Sequence, residues 1–517
     1  MAKKETKFSK TKRFRDIRSE CSSEISLPDF NPDVRKILNV SADAHPISVF
    51  AGAEGLECSG GVNFNVVYLD FDGEVHSTAF NGDYDFKVKC DTENYNDSFM
   101  ESKISGVSLR LMSPRKIAAK ATLENSVTVI TDEMLTIGGD ALEEGRMPEM
   151  DTVTLSNGYT ILSKMSEREY AESVSRFDGK TTDEVQVLHT VVTPSSLRAE
   201  LVDSEVDVSG KLNIVMLIKT DDVPVYKLEK SIDIAERIPM ADAKEGGDLR
   251  AMVDIASVSP TISGDESGVE IVLNVVTETR VLCIGNEDVE LVCDSYLCDA
   301  ECDNSYTDVS LGRYMPKVVH KAEINEKKSV SDMDIGKLRE VVFADARAHI
   351  NEVNYVENGL EISGEIQVSA IAGEMKDNDS VEYIPLKFPI KFNQYVNCNC
   401  QIAQNIKTYY DVNIDNVSVS VDSSNVYFKS DLEVCVDLIE EKIISVLSES
   451  TVMNKHNFDE NAARVTVYYP TADDTLYSIA KAYHTTREKL ILDNPSAREA
   501  ISPDEKISSK VRHLIIT

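Results

Sequence analysis

The sequence predicts a mainly β protein: three repeated antiparallel β modules, each a small sandwich or partly open barrel, followed by a small β-α-α-β domain. Three observations carry this prediction. First, an acid, any residue and Ser-Gly recur as Glu57-Cys58-Ser59-Gly60, Asp207-Val208-Ser209-Gly210 and Glu361-Ile362-Ser363-Gly364, at glycine spacings of 150 and 154 residues. Near-constant spacing marks a tandem repeat. Second, apolar residues around each Ser-Gly alternate with period two, the pattern of half-buried strands. Third, after Val465 the apolar period becomes helical.

Within each module an apolar pair lies 22 residues before the serine: Ile37-Leu38, Val187-Leu188 and Val341-Val342. Alternating stretches follow the glycine, at Phe86-Lys87-Val88, Ile232-Asp233-Ile234 and Ile390-Lys391-Phe392. Two more strands close each module: 104–111 with 117–130, 249–258 with 268–281, and 410–421 with 425–438. The stretch from Asp422 to Asn425 between alternating runs is a hairpin signal, and the one from Gly264 to Gly268 plays the same part. Glycine weakens a strand interior, so Ser59-Gly60, Ser209-Gly210 and Ser363-Gly364 are read as structural positions at a bulge or bend. Nucleophilic serines would need a base, and none of the eight histidines recurs at a fixed offset from all three.

The expected organisation is a basic N-terminal arm (1–29), modules at 30–130, 183–282 and 337–440, linkers at 131–182, 283–336 and 441–464, and the last domain at 465–510. Residues 1–20 carry eight Lys/Arg against three Asp/Glu, which reads as a solvated tail. The linkers are expected to be more helical or irregular than the modules, with Glu167–Ser175 and Asp332–Leu338 as short helices or spacers. Part of each linker should add strands to its neighbour.

Lys+Arg total 54 and Asp+Glu 89, a net charge of −35, which repels nucleic acid and anionic lipid. No signal-peptide core or membrane-length apolar run is visible, so a cytosolic protein with reduced cysteines is expected. The spacing of Cys283, Cys293, Cys298 and Cys302, like that of Cys398 and Cys400, lacks paired zinc knuckles, and no metal is expected. No P-loop, nucleophile elbow, His-Glu-x-x-His or dinucleotide fingerprint appears, so no catalytic residue or cofactor is named and a non-enzymatic role is expected.

At the C-terminus, Val465-Thr466-Val467-Tyr468 reads as a strand. Leu476, Ile479, Ala480 and Tyr483 then fall on one helical face after Asp473-Asp474. Thr485 and Glu488 have capping-box spacing before Leu490-Ile491-Leu492, and Asn494-Pro495 ends that helix. Ile501–Ser508 is the expected returning strand. From Val465 onward the two signs of charge balance, which predicts a separable domain.

The run Asp474-Thr475-Leu476-Tyr477-Ser478-Ile479-Ala480, with Leu490, Asn494, Ile501 and Ile507, resembles the LysM domain. The β modules, the first opened by Pro32-Asp33-Val34-Arg35-Lys36-Ile37-Leu38, look like the SPOCS domains of endospore-forming Firmicutes. Three SPOCS domains followed by one LysM domain resemble the SipL-like family of spore-assembly proteins, over about residues 30 to 510. This resemblance implies a mother-cell cytoplasmic scaffold gathered at the forespore outer surface and spore coat. It would bind the stage IV sporulation protein A, a coat morphogenetic ATPase, through its LysM domain, with other coat proteins as further partners, and promote coat encasement. Asp473 and Asp504 replace glycines that let LysM backbone approach a sugar, which puts glycan binding in doubt. The alternative is a protein of the cortex or wall that binds peptidoglycan or N-acetylglucosamine. Partner contacts are expected at Val465, Leu476, Tyr477 and Ile479, because large apolar side chains anchor small interfaces.

Overall fold

A computed structural model of the chain describes residues 5–136, 148–223, 225–243, 245–265, 267–333, 335–376, 380–422, 424–456, 465–500, 507 and 511–517. It is mainly β, with several antiparallel sheets. The first unit contains β1 (Glu5–Ser26), β2 (Lys36–Gly52), β3 (Gly55–Leu69), β4 (Val75–Val88), β5 (Tyr95–Ser113) and β6 (Lys116–Thr136). The second contains β7 (Glu149–Asp178), β8 (Val185–Val202), β9 (Glu205–Thr220), β10 (Tyr226–Pro239), β11 (Asp248–Asp265) and β12 (Gly268–Tyr296). The third contains β13 (Ala300–Tyr314), β14 (Val318–Ser329), β15 (Leu338–Val356), β16 (Gly359–Met375), β17 (Val381–Asn397), β18 (Ile406–Val421) and β19 (Asn425–Lys455). The chain ends with β20 (Thr466–Tyr468), α1 (Leu476–Ala482), α2 (Arg487–Asp493) and β21 (Leu514–Ile516).

The three units share one strand order. Each has a meander sheet (β2-β3-β4, β8-β9-β10, β15-β16-β17) facing a sheet whose middle strand is the last of the unit (β1-β6-β5, β7-β12-β11, and β13 and β14 end to end beside β19, with β18 on its other edge). Pro316 separates β13 from β14, because proline has no N–H to continue the ladder. The two sheets of a unit approach at both edges, β2 to β5 and β1 to β4 in the first, with the corresponding strands meeting in the others. Each unit thus places one antiparallel sheet against another.

Alternation in the meander's central strand explains the cores. Val206, Val208, Leu212, Ile214, Met216 and Ile218 of β9 all point inward, as do Leu360, Ile362, Ile366, Val368, Ala370 and Ala372 of β16. Gly210 and Gly364 take the missing place in these rows, and Gly60 does so in β3. The pairing register shifts opposite each one, between Pro46 and Ser48, Ser195 and Arg198, and Ile350 and Glu352. The bulge expected on the Ser-Gly strand therefore lies on its neighbour. A Cβ at Gly60 would strike the Tyr84 ring, and one at Gly364 would strike the His349 carbonyl and the Phe392 ring.

A second register shift skips Leu38, Leu188 and Val342, the second residue of each apolar pair. These three side chains meet in one core with Val67, Leu69, Leu217, Phe343 and Ile371, drawn from all three units. The units close in a ring: β4 lies against β8, β10 against β15, and β17 against β2. The long ends of β6, β12 and β19 join a second shared core through Ile130, Ile284 and Ile439 with Tyr159. Beyond it, Phe8, Val289, Leu291, Val309, Leu311 and Val446 continue the packing along the strand ends.

Two expectations are corrected. The basic arm is not a solvated tail but strand β1, with Phe8 and Cys21 buried. Its cations meet acids of the neighbouring strands: Lys7 pairs with Asp132 at 2.8 Å, Lys10 with Glu133 at 2.7 Å, and Arg13 with Glu101. Arg15 reaches the third unit, donating to the Tyr410 carbonyl at 2.6 Å. The described parts of the linkers are likewise mostly extended, and they add strands to their neighbours as expected. Within 131–182 runs β7, which contains Glu167–Ser175, and within 283–336 run the end of β12 and all of β13 and β14. Val330–Met333, overlapping the start of the other expected spacer, forms a 3-10 turn, as does Thr182–Glu184 at the end of the first linker. Pairing along the full length of β12 and β19 satisfies the backbone groups of these segments. No helix among the described residues is long and apolar enough to cross a membrane.

Candidate interaction surface

The C-terminal unit is built on two short helices over a two-stranded ladder. Thr475 caps α1: its hydroxyl accepts from the Ser478 N–H at 3.0 Å while the Thr475 N–H donates to Ser478 Oγ at 2.9 Å. Thr486, one residue later than the sequence suggested, caps α2 by accepting from the Lys489 N–H at 3.1 Å. Asp474 holds the loop before α1, accepting from the Thr471 N–H at 2.7 Å and the Tyr468 hydroxyl at 2.9 Å. These bonds, the Thr471 N–H first, lower its carboxyl pKa. Asn494 ties the end of α2 to β21, donating to the Leu490 and Ile515 carbonyls and accepting from the Ile515 N–H at 2.7 Å.

The strand expected at Ile501–Ser508 lies, apart from Ile507, outside the described residues. The returning strand is β21, which pairs Thr466 with Ile516, Val467 with Ile515 and Tyr468 with Leu514. Of the expected segment only Ile507 is described, as a buried residue of the unit's core; Asp504 lies outside the described residues.

The ladder separates two faces. Tyr468, Leu514 and Ile516 turn toward the helices. Val465, Val467 and Tyr469, at alternate positions, are 56%, 51% and 70% exposed, and Ile515, opposite Val467, is 37% exposed. The Tyr469 ring stands 6.3 Å from that of His513. A sheet face this apolar and uncovered is the ordinary mark of a binding surface.

Of the residues expected to contact a partner, Val465 lies on this open face. Leu476, Tyr477 and Ile479 do not: all are buried, Tyr477 at 5% exposure. The reason is that the unit is docked on the end of the long strands. The Tyr477 ring meets Tyr296 of β12 edge-to-face at 5.2 Å, and the Arg487 guanidinium lies 5.8 Å above the Tyr477 ring. The Tyr296 hydroxyl donates to the Thr485 carbonyl at 2.8 Å, Lys481 pairs with Asp294, and Arg487 pairs with Glu149 at 2.9 Å. Tyr296 belongs to the same apolar cluster as Leu476, Ile479 and Leu490. The unit thus shares a core with the body instead of standing apart from it.

Ser59, Ser209 and Ser363 lie at matching points of three strands; Ser59 shares a hydrogen bond with Ser48 at 2.9 Å. The serine that does meet a histidine is another one. Ser41 Oγ lies 3.1 Å from His189 Nε2 at the meeting point of the units, beside a cavity of about 2110 Å³ lined by residues of all three. Phe343 faces the His189 ring at 5.1 Å. Burial pushes the His189 pKa down to about 4, opposed by Asp345 and reinforced by Arg347. Arg347 donates to the Ala42 carbonyl at 2.7 Å and sits 3.8 Å from both Asp43 and Asp345. These contacts cross unit boundaries, so the group joins the three units at their centre. The sequence offered only one signal for it: a polar residue, His189, directly after the apolar pair Val187-Leu188, as Asn39 follows Ile37-Leu38.

Among the described residues no group of three or more His, Cys, Asp or Glu side chains is placed to hold a metal ion. No protein-family model, curated protein or solved structure matches the chain.

Proposed function

We propose that the chain is a non-enzymatic morphogenetic scaffold of the SipL-like spore-assembly type. In this reading the three β units are SPOCS domains derived from one module, and the C-terminal unit is a LysM domain. It works in the mother-cell cytoplasm at the forespore outer surface, where it binds the stage IV sporulation protein A and promotes coat assembly. The observation that carries the reading is the uncovered face of Val465, Val467, Tyr469 and Ile515 on a unit whose other side is fixed to a large body. Such a unit presents a binding face at a set position. The exposed carboxylate of Asp473, beside the α1 cap, favours a protein partner over a glycan.

Capture of purified stage IV sporulation protein A by the immobilised full chain tests this reading. Val467→Arg, on the open face, is expected to reduce capture at least tenfold, with circular dichroism and melting unchanged because the side chain packs against nothing inside. Undiminished capture by this variant would overturn the assigned face. Retention of the wild-type chain on chitin oligomers, with no capture of the protein, would favour the wall-binding alternative.

A further inference from the structure

We infer that the junction between the C-terminal unit and the body is a proton-operated latch, with His456 and His484 as its sensor. His456 directly follows β19, and its backbone N–H donates to the Asp299 carbonyl at 2.9 Å. His484 follows α1 in the left-handed region (φ 50°), held by a 3.3 Å bond from its N–H to the Lys481 carbonyl. One residue thus belongs to the body and the other to the docked unit, and their ring centroids lie 3.8 Å apart. The two ring planes are tilted by 45° to each other, in direct contact across the docking junction. Two imidazolium ions repel each other there, and the repulsion is directed across the docking contact.

Charged groups of the body and of the docked unit surround the pair. Burial lowers the His484 pKa, and His456 lowers it further, while Glu301 of β13 acts in the opposite sense. Other charges also face the junction. Asp294 of β12 binds Lys481, and its carboxyl pKa is lowered by that partner despite the burial that opposes it. Glu149 of β7 binds Arg487. Asp151 of β7 has its pKa raised by burial and by Asp294, so it is controlled for in the test. This inference does not depend on what binds the exposed strand face, and the test contains no partner.

Hydrogen exchange on the full chain, corrected for the intrinsic effect of pH, reads the latch directly. Between pH 7.5 and 5.5, amide protection over Leu476–Ala482 and around Tyr296 should fall severalfold. Protection in the middle of β9 should stay constant. A His456→Gln/His484→Gln variant should keep its junction protection at both pH values, and so should His484→Asn, whose side chain suits the left-handed backbone. An Asp151→Asn variant should respond to pH as the wild type does. Unchanged wild-type protection, an equal fall in the glutamine and asparagine variants, or a parallel fall in β9 would each overturn the latch.

Discussion

Acidification should loosen the centre of the ring through a single residue, His189. It is 4% exposed, hydrogen-bonded across a unit boundary to Ser41 and faced by Phe343 of the third unit. Its pKa of about 4 lies below its ordinary value of 6.5, so the proton binds more tightly to the unfolded or opened chain. The contribution to stability is therefore complete above pH 6.5, is lost as pH falls toward 4, and changes no further below that. The loss amounts to about 2 kcal/mol at pH 5 and about 3 kcal/mol below pH 4. Asp43 and Asp345, whose pKa values are raised chiefly by burial, act with the opposite sign, so wild-type behaviour alone is not diagnostic. The informative comparison is with His189→Asn, which places an amide where the matching position of the first unit already has Asn39. Urea unfolding at pH 7.5, 6, 5 and 4 should show the wild type losing about 2 kcal/mol relative to the variant by pH 5. Parallel curves over that range would refute the assignment of the acid response to His189.

Two further outcomes follow from the same contacts. Gly364→Ala should destabilise the third unit by about 1–3 kcal/mol, because the added methyl meets a backbone carbonyl that cannot move without breaking the ladder; thermal melting checks it. Arg250→Met should cost about 3–5 kcal/mol, since Arg250 donates to Asp437 at 2.6 Å and to Asp248 at 2.7 Å and its loss leaves Asp437 uncompensated between the second and third units. Denaturant unfolding of that variant, compared with Arg250→Met/Asp437→Leu, should show partial recovery in the double variant.

The sequence carried strand pattern far better than it carried strand partnership. Alternation placed the closing hairpins at 104–130, 249–281 and 410–438, where β5–β6, β11–β12 and β18–β19 now pair. Period two says which face of a strand is buried but not which strand lies beside it, so β1, β7 and β13 were assigned to an arm and to linkers. In β1 the density of lysine and arginine outweighs the apolar positions Phe8, Phe14, Ile17 and Cys21, whose partners lie a hundred or more residues away. The ring was hidden for a similar reason, although a signal existed. Val66-Val67-Tyr68-Leu69, Met216-Leu217-Ile218 and Ala370-Ile371-Ala372 are continuous apolar runs, and such runs indicate strands covered on both faces. At the C-terminus, helix periodicity found both helices but could not distinguish a face turned to solvent from one turned to the body. Tyr477 therefore reads equally well as a contact residue and as the buried anchor that it is.

The register shifts explain how one strand pattern serves two cores. In a regular strand, residues two apart share a face, so a side chain next to an inward residue must point outward. Skipping Leu38, Leu188 and Val342 releases each from that constraint and lets it enter the core between units, while the rest of the strand continues to fill the core of its own unit. The second shift, opposite each Ser-Gly, restores the alternation in the outer half of the strand. Both devices recur in all three units at matching places; the lack of a Cβ at Gly210 and Gly364 leaves room for the backbone of the shifted neighbour, and at Gly60 it leaves room for the Tyr84 ring. The shared core then holds the three units in fixed relation. The long strand ends carry that order outward to Tyr296, where the C-terminal unit docks with its apolar strand face turned away from the body.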